Sequence, residues 1–299
     1  MSMTTSALPT QNGKVWFITG ASTGFGRLLA EHLITLGASV VATARKVNQL
    51  TDLEALAPER VQAIELDVTS QRLIDEAVAA ALARWGHIDV LVNNAGYGLT
   101  GAFEEVTEAE YMPMFNTNVF GLINMTKALL PQFRERRSGN IVMLSSIGGL
   151  TGLAGWGYYN ATKFAVEGMG EALGVELDPL GIHVTIVEPG PFRTDFLGRS
   201  GVAAQRVILD YVETAGKTRE YFHSQAGKQA GDPQKAVEAI VAAVAAPQPP
   251  RHLLLGKLAL DRYQAKVESF QKDIDTWKET TLGADFPGYV ASTPYGDKK

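Results

Sequence analysis

Tyr159 and Lys163 stand four apart in YYNATK, a spacing that puts both side chains on one face of a helix. An ammonium beside a phenol favours the phenolate and lowers the tyrosine pKa from about 10 toward working pH. Such a tyrosine donates a proton to a carbonyl oxygen or removes one from an alcohol. Ser146 lies thirteen residues earlier, at the end of an apolar run. The glycine-rich stretch IGGLTGLAGWG lets the chain return, so that the Ser146 hydroxyl could polarise the same oxygen. A serine at such a place is equally an ordinary turn residue. A second pair, Tyr295 and Lys299, sits in a polar terminal segment with nothing helical around it and is read as a coincidence.

A second group of residues suits phosphate. TGASTGFG (Thr19–Gly26) follows the first apolar run and opens a helical pattern. Gly20, Gly24 and Gly26, with Ser22, Thr23 and Phe25 among them, can bring the backbone close to a pyrophosphate at a helix N-terminus. The same glycines would also make a plain tight turn with no ligand. No GK[ST] ending is present, which argues against a nucleoside-triphosphate loop. The second run ends in Arg45, where dinucleotide folds usually place a carboxylate against the ribose 2′-OH. A guanidinium there pairs with a 2′-phosphate, so NADP(H) is expected in preference to NAD(H). The alternative is an Arg45 that is simply solvated. Asp67 and Val68 close the third run and offer an acceptor and an apolar contact for an adenine, or else a helix-start turn. Asn94, Ala95 and Gly96 follow Asn93 at the end of the fourth and allow close approach of a ligand.

These residues need a scaffold that brings strand ends together. Apolar runs at 15–19, 39–44, 61–68, 88–95, 140–146, 183–189 and 252–256 alternate with helical stretches, the first through Leu28, Leu29, His32, Leu33 and Leu36 and the others at about 46–56, 70–85, 107–137, 156–179 and 232–246. Continuous apolar strands alternating with helices predict an α/β, doubly wound, seven-stranded parallel sheet in three layers, a Rossmann fold. One domain is expected over 1–299, with its core at about 13–256. Two segments stand outside the cycle. Residues 196–231 carry scattered apolar side chains, Phe196 and Phe222 among them, and suit a mobile lid. The extension 257–299 holds Leu260, Tyr263, Val267, Phe270, Ile274 and Trp277 at alternating steps of three and four, one apolar stripe on a long helix.

Composition excludes several classes. The 299 residues include no Cys, which removes disulfides, thiol nucleophiles and Cys-ligated metal, and fits a reducing, cytoplasmic setting. The five His are scattered with no HExxH, so metal catalysis is disfavoured. A net charge of −5 leaves no basic footprint for nucleic acid. No apolar run is long enough to span a bilayer, and the first residues carry no secretory pattern.

Taken in order, TGASTGFG, Asp67-Val68, NNAG, Asn118 in NTNVFG, Ser146, Tyr159-x-x-x-Lys163 and PGPFRT make the chain resemble the short-chain dehydrogenase/reductase family, in the branch with the TGxxxGxG turn. Within it, GYGLTGAFEE and the two outlying segments are most similar to 17β-hydroxysteroid and retinol dehydrogenases. The resemblance implies a tetrad of Asn118, Ser146, Tyr159 and Lys163. Tyr159 is then the general acid/base, Ser146 orients the oxygen, and Lys163 binds the nicotinamide ribose and lowers the tyrosine pKa. Asn118 holds a relay water where its helix kinks. Pro189, Gly190 and Thr194, with Phe192, position the nicotinamide. It also implies a homodimer or homotetramer through the Asn118 and Tyr159 helices. The implied activity is NADP(H)-dependent interconversion of an alcohol and a ketone or aldehyde on a small hydrophobic substrate. Tyr97, Leu150, Leu153, Trp156 and Phe192 are expected to line that substrate's pocket, although each is equally an ordinary core residue. A non-catalytic NADP-binding sensor and an NAD(H)-using enzyme stay open as alternatives.

Overall fold

A computed structural model describes residues 10–197 and 201–288. The first half contains β1 (Val15–Ile18), α1 (Gly24–Thr35), β2 (Ser39–Ala44), α2 (Thr51–Leu56), β3 (Val61–Glu65), α3 (Gln71–Trp85), β4 (Val90–Asn93), β5 (Gly98–Thr100), α4 (Glu108–Phe115), α5 (Leu122–Arg136) and β6 (Gly139–Leu144). The second contains α6 (Gly157–Leu177), β7 (Ile182–Pro189), β8 (Gly201–Ala203), α7 (Lys217–Gln225), α8 (Pro233–Ala245), β9 (His252–Leu255) and α9 (Lys257–Leu282). Seven strands form one parallel sheet in the order β3-β2-β1-β4-β6-β7-β9.

The apolar runs form this sheet because both faces are covered. Alternate side chains of a strand point to opposite faces. Trp16 and Ile18 pack with Leu29 and Leu33 of α1 and Ile240 of α8 on one side. Phe17 packs on the other with Leu129 and Phe133 of α5 and Val166 of α6. All nine of these side chains are buried. Strand order reverses between β1 and β4, and that reversal opens a crevice at the carboxyl ends of the strands.

Two local features depart from the expected pattern. The helical stretch at 107–137 is broken by a wide π-type segment, Asn116–Gly121, between α4 and α5. Pro113 has no N–H for the regular ladder, and such single wide turns recur at functional sites. The second departure lies in the outlying segment 196–231, where β8 pairs in parallel with β5 in a separate two-stranded sheet, Leu99 opposite Val202. Three-residue strands that begin with glycine leave no periodic signal.

That segment, expected as a mobile lid, is tied down by one buried carboxylate. Glu105, 2% exposed, accepts hydrogen bonds from the Ala102 and Ile208 N–H groups and pairs with Arg219 at 2.7 Å. Burial pushes the Glu105 pKa up, but the Ile208 and Ala102 N–H groups and the Arg219 guanidinium outweigh it and hold it below the ordinary value. Glu110 adds an acceptor for the Gln205 N–H, and Tyr211 donates to Glu104. Removing one partner of a buried pair leaves the other charge uncompensated. Glu105→Ala is therefore expected to cost about 3–5 kcal/mol and to expose 201–225 to protease first. Denaturation with proteolytic mapping checks this, and an unchanged midpoint and cleavage pattern would contradict it.

Candidate active site

The floor of the crevice is a knot of hydrogen bonds between β1 and β4. The Thr19 hydroxyl accepts from the Asn94 and Ala95 N–H groups at 2.9 and 3.0 Å. The Asn94 side chain donates back to the Thr19 and Gly20 carbonyls, both at 2.9 Å. Gly20, at φ +68°, has the left-handed backbone this turn needs. Gly26 is set by close approach instead, since a Cβ there would stand 2.5 Å from the Gly20 carbonyl oxygen and from Asn94. Gly26 thus packs α1 against the turn and does not line the cleft, while Asn94 lines it with its amide already engaged.

Above this floor lies a cleft of about 1100 Å³. Gly20, Ser22, Thr23, Gly24 and Phe25 form one wall at the start of α1. Thr23 caps that helix without a side-chain bond, and no acidic residue lies in its first turn. Its free N–H groups and positive dipole end therefore face the cleft, a donor set that fits a diphosphate. Arg45 lies at the same end, exposed and in no ion pair among the described residues. Asp67 and Val68 follow the end of β3 and also line the cleft. Asp67 accepts from the Thr69 N–H and hydroxyl, so it also makes the turn before α3. Ala95 and Gly96, then Pro189, Gly190, Phe192 and Thr194, continue the wall, with Phe192 edge-on to Phe25 at 5.5 Å.

Ser146, Tyr159 and Lys163 meet at the far end. Ser146 caps the short turn after β6, accepting from the Gly148 N–H at 3.0 Å. Gly148 lies between Ser146 and Tyr159, close to both. Lys163 lies one turn after Tyr159 on α6, as the spacing requires, with its Nζ 5.7 Å from the ring centre. The Nζ donates to the Leu144 carbonyl at 2.6 Å. Both side chains are only 7% exposed, and this depth reverses one expectation. Burial pushes the Tyr159 phenol up to about 12, against the opposing pull of the Ser146 hydroxyl, so the phenol holds its proton at neutral pH. Burial lowers Lys163 to about 8, with Glu167 opposing. The low tyrosine pKa expected from the i,i+4 pair is absent because desolvation dominates and the ammonium is drawn to a backbone carbonyl.

Behind this pair, Ser145 donates to Glu167, and Glu188 meets His252 at 2.7 Å. Burial raises Glu167 to about 7 and Glu188 to about 8. Asn118 sits in the π segment and stays outside the cleft lining, 1% exposed. Its Oδ1 accepts from the Tyr97 N–H at 3.0 Å, and its Nδ2 donates to the Tyr97 carbonyl and the Thr162 hydroxyl. Its side chain therefore joins the Tyr97 loop to α6 and has no free donor for a water.

Of the residues expected around the substrate, Tyr97, Leu153, Trp156 and Phe192 line the cleft. Leu150 does not, because it caps the turn at 147–149 with its side chain outside the cavity. Trp156 packs edge-on to Tyr159 at 4.9 Å and to Phe222 at 4.7 Å, and stacks with Phe196 at 6.3 Å. Phe196 and Phe222 thus close an aromatic wall from within the outlying segment. Gln229, 5% exposed, also lines the cleft, and its amide has no hydrogen-bond partner among the described residues. A lone glutamine in a polar stretch carries no sequence signal for such a place. The Tyr295–Lys299 pair lies outside the described residues.

Residues 14–203 match the short chain dehydrogenase family. The chain is 37% identical over 269 residues to a 3-ketodihydrosphingosine reductase of Bacteroides thetaiotaomicron, covering 87% of this chain and 94% of that protein. It is 38% identical over 249 residues to human retinol dehydrogenase 8, covering 78% of each. Among solved structures, a short-chain dehydrogenase from Streptomyces avermitilis superposes with a TM-score of 0.86 at 45% identity, covering 91% of this chain and 99% of that one. No helix among the described residues is long and apolar enough to cross a membrane. On the match in sequence, sheet order and overall shape, the chain belongs to the short-chain dehydrogenase family and is an NAD(P)-dependent oxidoreductase.

Proposed function

We propose that the protein interconverts a hydrophobic alcohol and its ketone or aldehyde with NADP(H), using Tyr159 as the general acid/base. The observation that carries this reading is the meeting of the Ser146 hydroxyl with the buried Tyr159 phenol and Lys163 ammonium at one end of a single cleft. When bound, the dinucleotide supplies or accepts the hydride. The rest falls to the chain itself. The N-terminus of α1 holds the diphosphate, and Arg45 pairs with a 2′-phosphate. Ser146 holds the substrate oxygen against the Tyr159 hydroxyl. Tyr159 gives that oxygen its proton in reduction and takes it back in oxidation. The Lys163 charge steadies the phenolate that forms.

The substrate end is apolar. Leu153, Trp156, Phe196 and Phe222 leave few polar groups there, which suits a hydrophobic molecule. A sphingoid-base ketone reductase and a retinol dehydrogenase among the relatives support the same substrate character. Assembly into dimers or tetramers through the Asn118 and Tyr159 helices belongs to the same reading. It is supported by Phe120 and Phe164, about half exposed on those elements.

Two variants test the proposal. Tyr159→Phe is expected to lose about 10²- to 10⁴-fold in ketone reduction while NADPH still binds, read by turnover and by titration of nucleotide fluorescence. Full turnover in that variant would refute the mechanism. Arg45→Asp is expected to weaken NADPH binding about tenfold or more and to leave NADH binding largely unchanged. An unaltered preference would remove Arg45 from the cofactor site.

A further inference from the structure

The C-terminal helix α9 runs for 26 residues, and Ala259 is its only buried residue. Beyond its first turn and a half it has no support from the rest of the described chain. Isolated helices are marginal in water, and most helical stability comes from packing an amphipathic face. The face is present. Leu260, Tyr263, Val267, Phe270, Ile274 and Trp277 follow steps of three and four and are each between 40% and 63% exposed. These are the a and d positions of a heptad pattern. At 1.5 Å per residue the stripe is about 26 Å long.

We propose that this stripe is covered by the α9 helix of a second copy of the chain, packed antiparallel. The pattern is self-complementary in that direction. Leu260 meets Trp277 of the second copy, Tyr263 meets Ile274, and Val267 meets Phe270, each layer joining one aliphatic to one aromatic side chain. A parallel pair would stack aromatic on aromatic and aliphatic on aliphatic in alternate layers. The flanking positions agree, since Lys266 and Asp273 occupy successive g positions and meet with opposite charge, twice per pair. A lipid surface fits less well. The b positions carry Asp261, Glu268 and Asp275, where a membrane-lying helix is rich in Lys and Arg. Pairing also bears on the active site. Arg262 lines the catalytic cleft, and the last turns of the second copy's helix lie level with it.

Sedimentation of the full chain, and of Phe270→Glu, reads the association. Each pair buries two copies of Phe270, so the variant is expected to associate about 100-fold more weakly and to lose part of its helical circular dichroism. The absence of Cys allows a direct test of direction. Under mild oxidation, Leu260→Cys/Trp277→Cys is expected to form a covalent dimer and neither single variant is. Unchanged association in Phe270→Glu, cross-linking by Leu260→Cys alone, or a monomeric chain that floats with anionic lipid vesicles would each overturn the proposal.

Discussion

The reversal of strand order between β1 and β4 is the constraint on which the rest of the molecule depends. It leaves an opening at the strand ends that backbone ladders alone cannot hold to a defined width. The Thr19 hydroxyl and the Asn94 side chain hold it, exchanging four hydrogen bonds of 2.9 to 3.0 Å with the turn on either side. Gly26 lets α1 start against that knot, so the helix end and the third and fourth strand ends face one volume. The free N–H groups of α1 then make one end of the cleft electropositive without any lysine in the turn.

The other end is governed by burial. Lys163 and Tyr159 lie in a region poor in water, and each is displaced toward its neutral form, the lysine to about 8 and the phenol to about 12. The same low-dielectric setting makes a charge on Lys163 more effective at close range. At rest the phenol thus keeps its proton beside a cation, the state that the proposed carbonyl reduction requires. The Glu167–Ser145 contact fastens the turn that carries Ser146, and Glu105 fastens the segment that supplies Phe222. Both are buried carboxylates placed behind the site, away from the reacting groups.

Much of this was legible in the residues because the signals were long. Runs such as SVVATA and IHVTIVEP declare buried parallel strands, and six apolar residues in helical period declare α9. The glycine turn and the Tyr–Lys spacing located both ends of the cleft. What escaped was short or depended on depth. The three-residue strands β5 and β8 have no period to detect, and Gln229 gains its place only from the fold. Spacing put Lys163 on the face of Tyr159 but could not register the Leu144 carbonyl that accepts its hydrogen bond, nor the desolvation that reverses the expected shift. Leu150 looked like a pocket residue for its position between Ser146 and Trp156, yet one turn of 3₁₀ helix directs it away.

The central claim is that Tyr159 donates a proton with Lys163 charged beside it. The most direct measurement is the pH dependence of single-turnover ketone reduction by the NADPH-loaded protein from about pH 6 to about pH 10. Lys163 is positive below about 8 and loses its charge above it, while Tyr159 keeps its proton until about 12. The rate constant is therefore predicted to be level below about pH 8 and to fall above it, the limb that marks loss of the lysine charge. A rate that rises through that range, or stays flat to its upper end, would contradict the account.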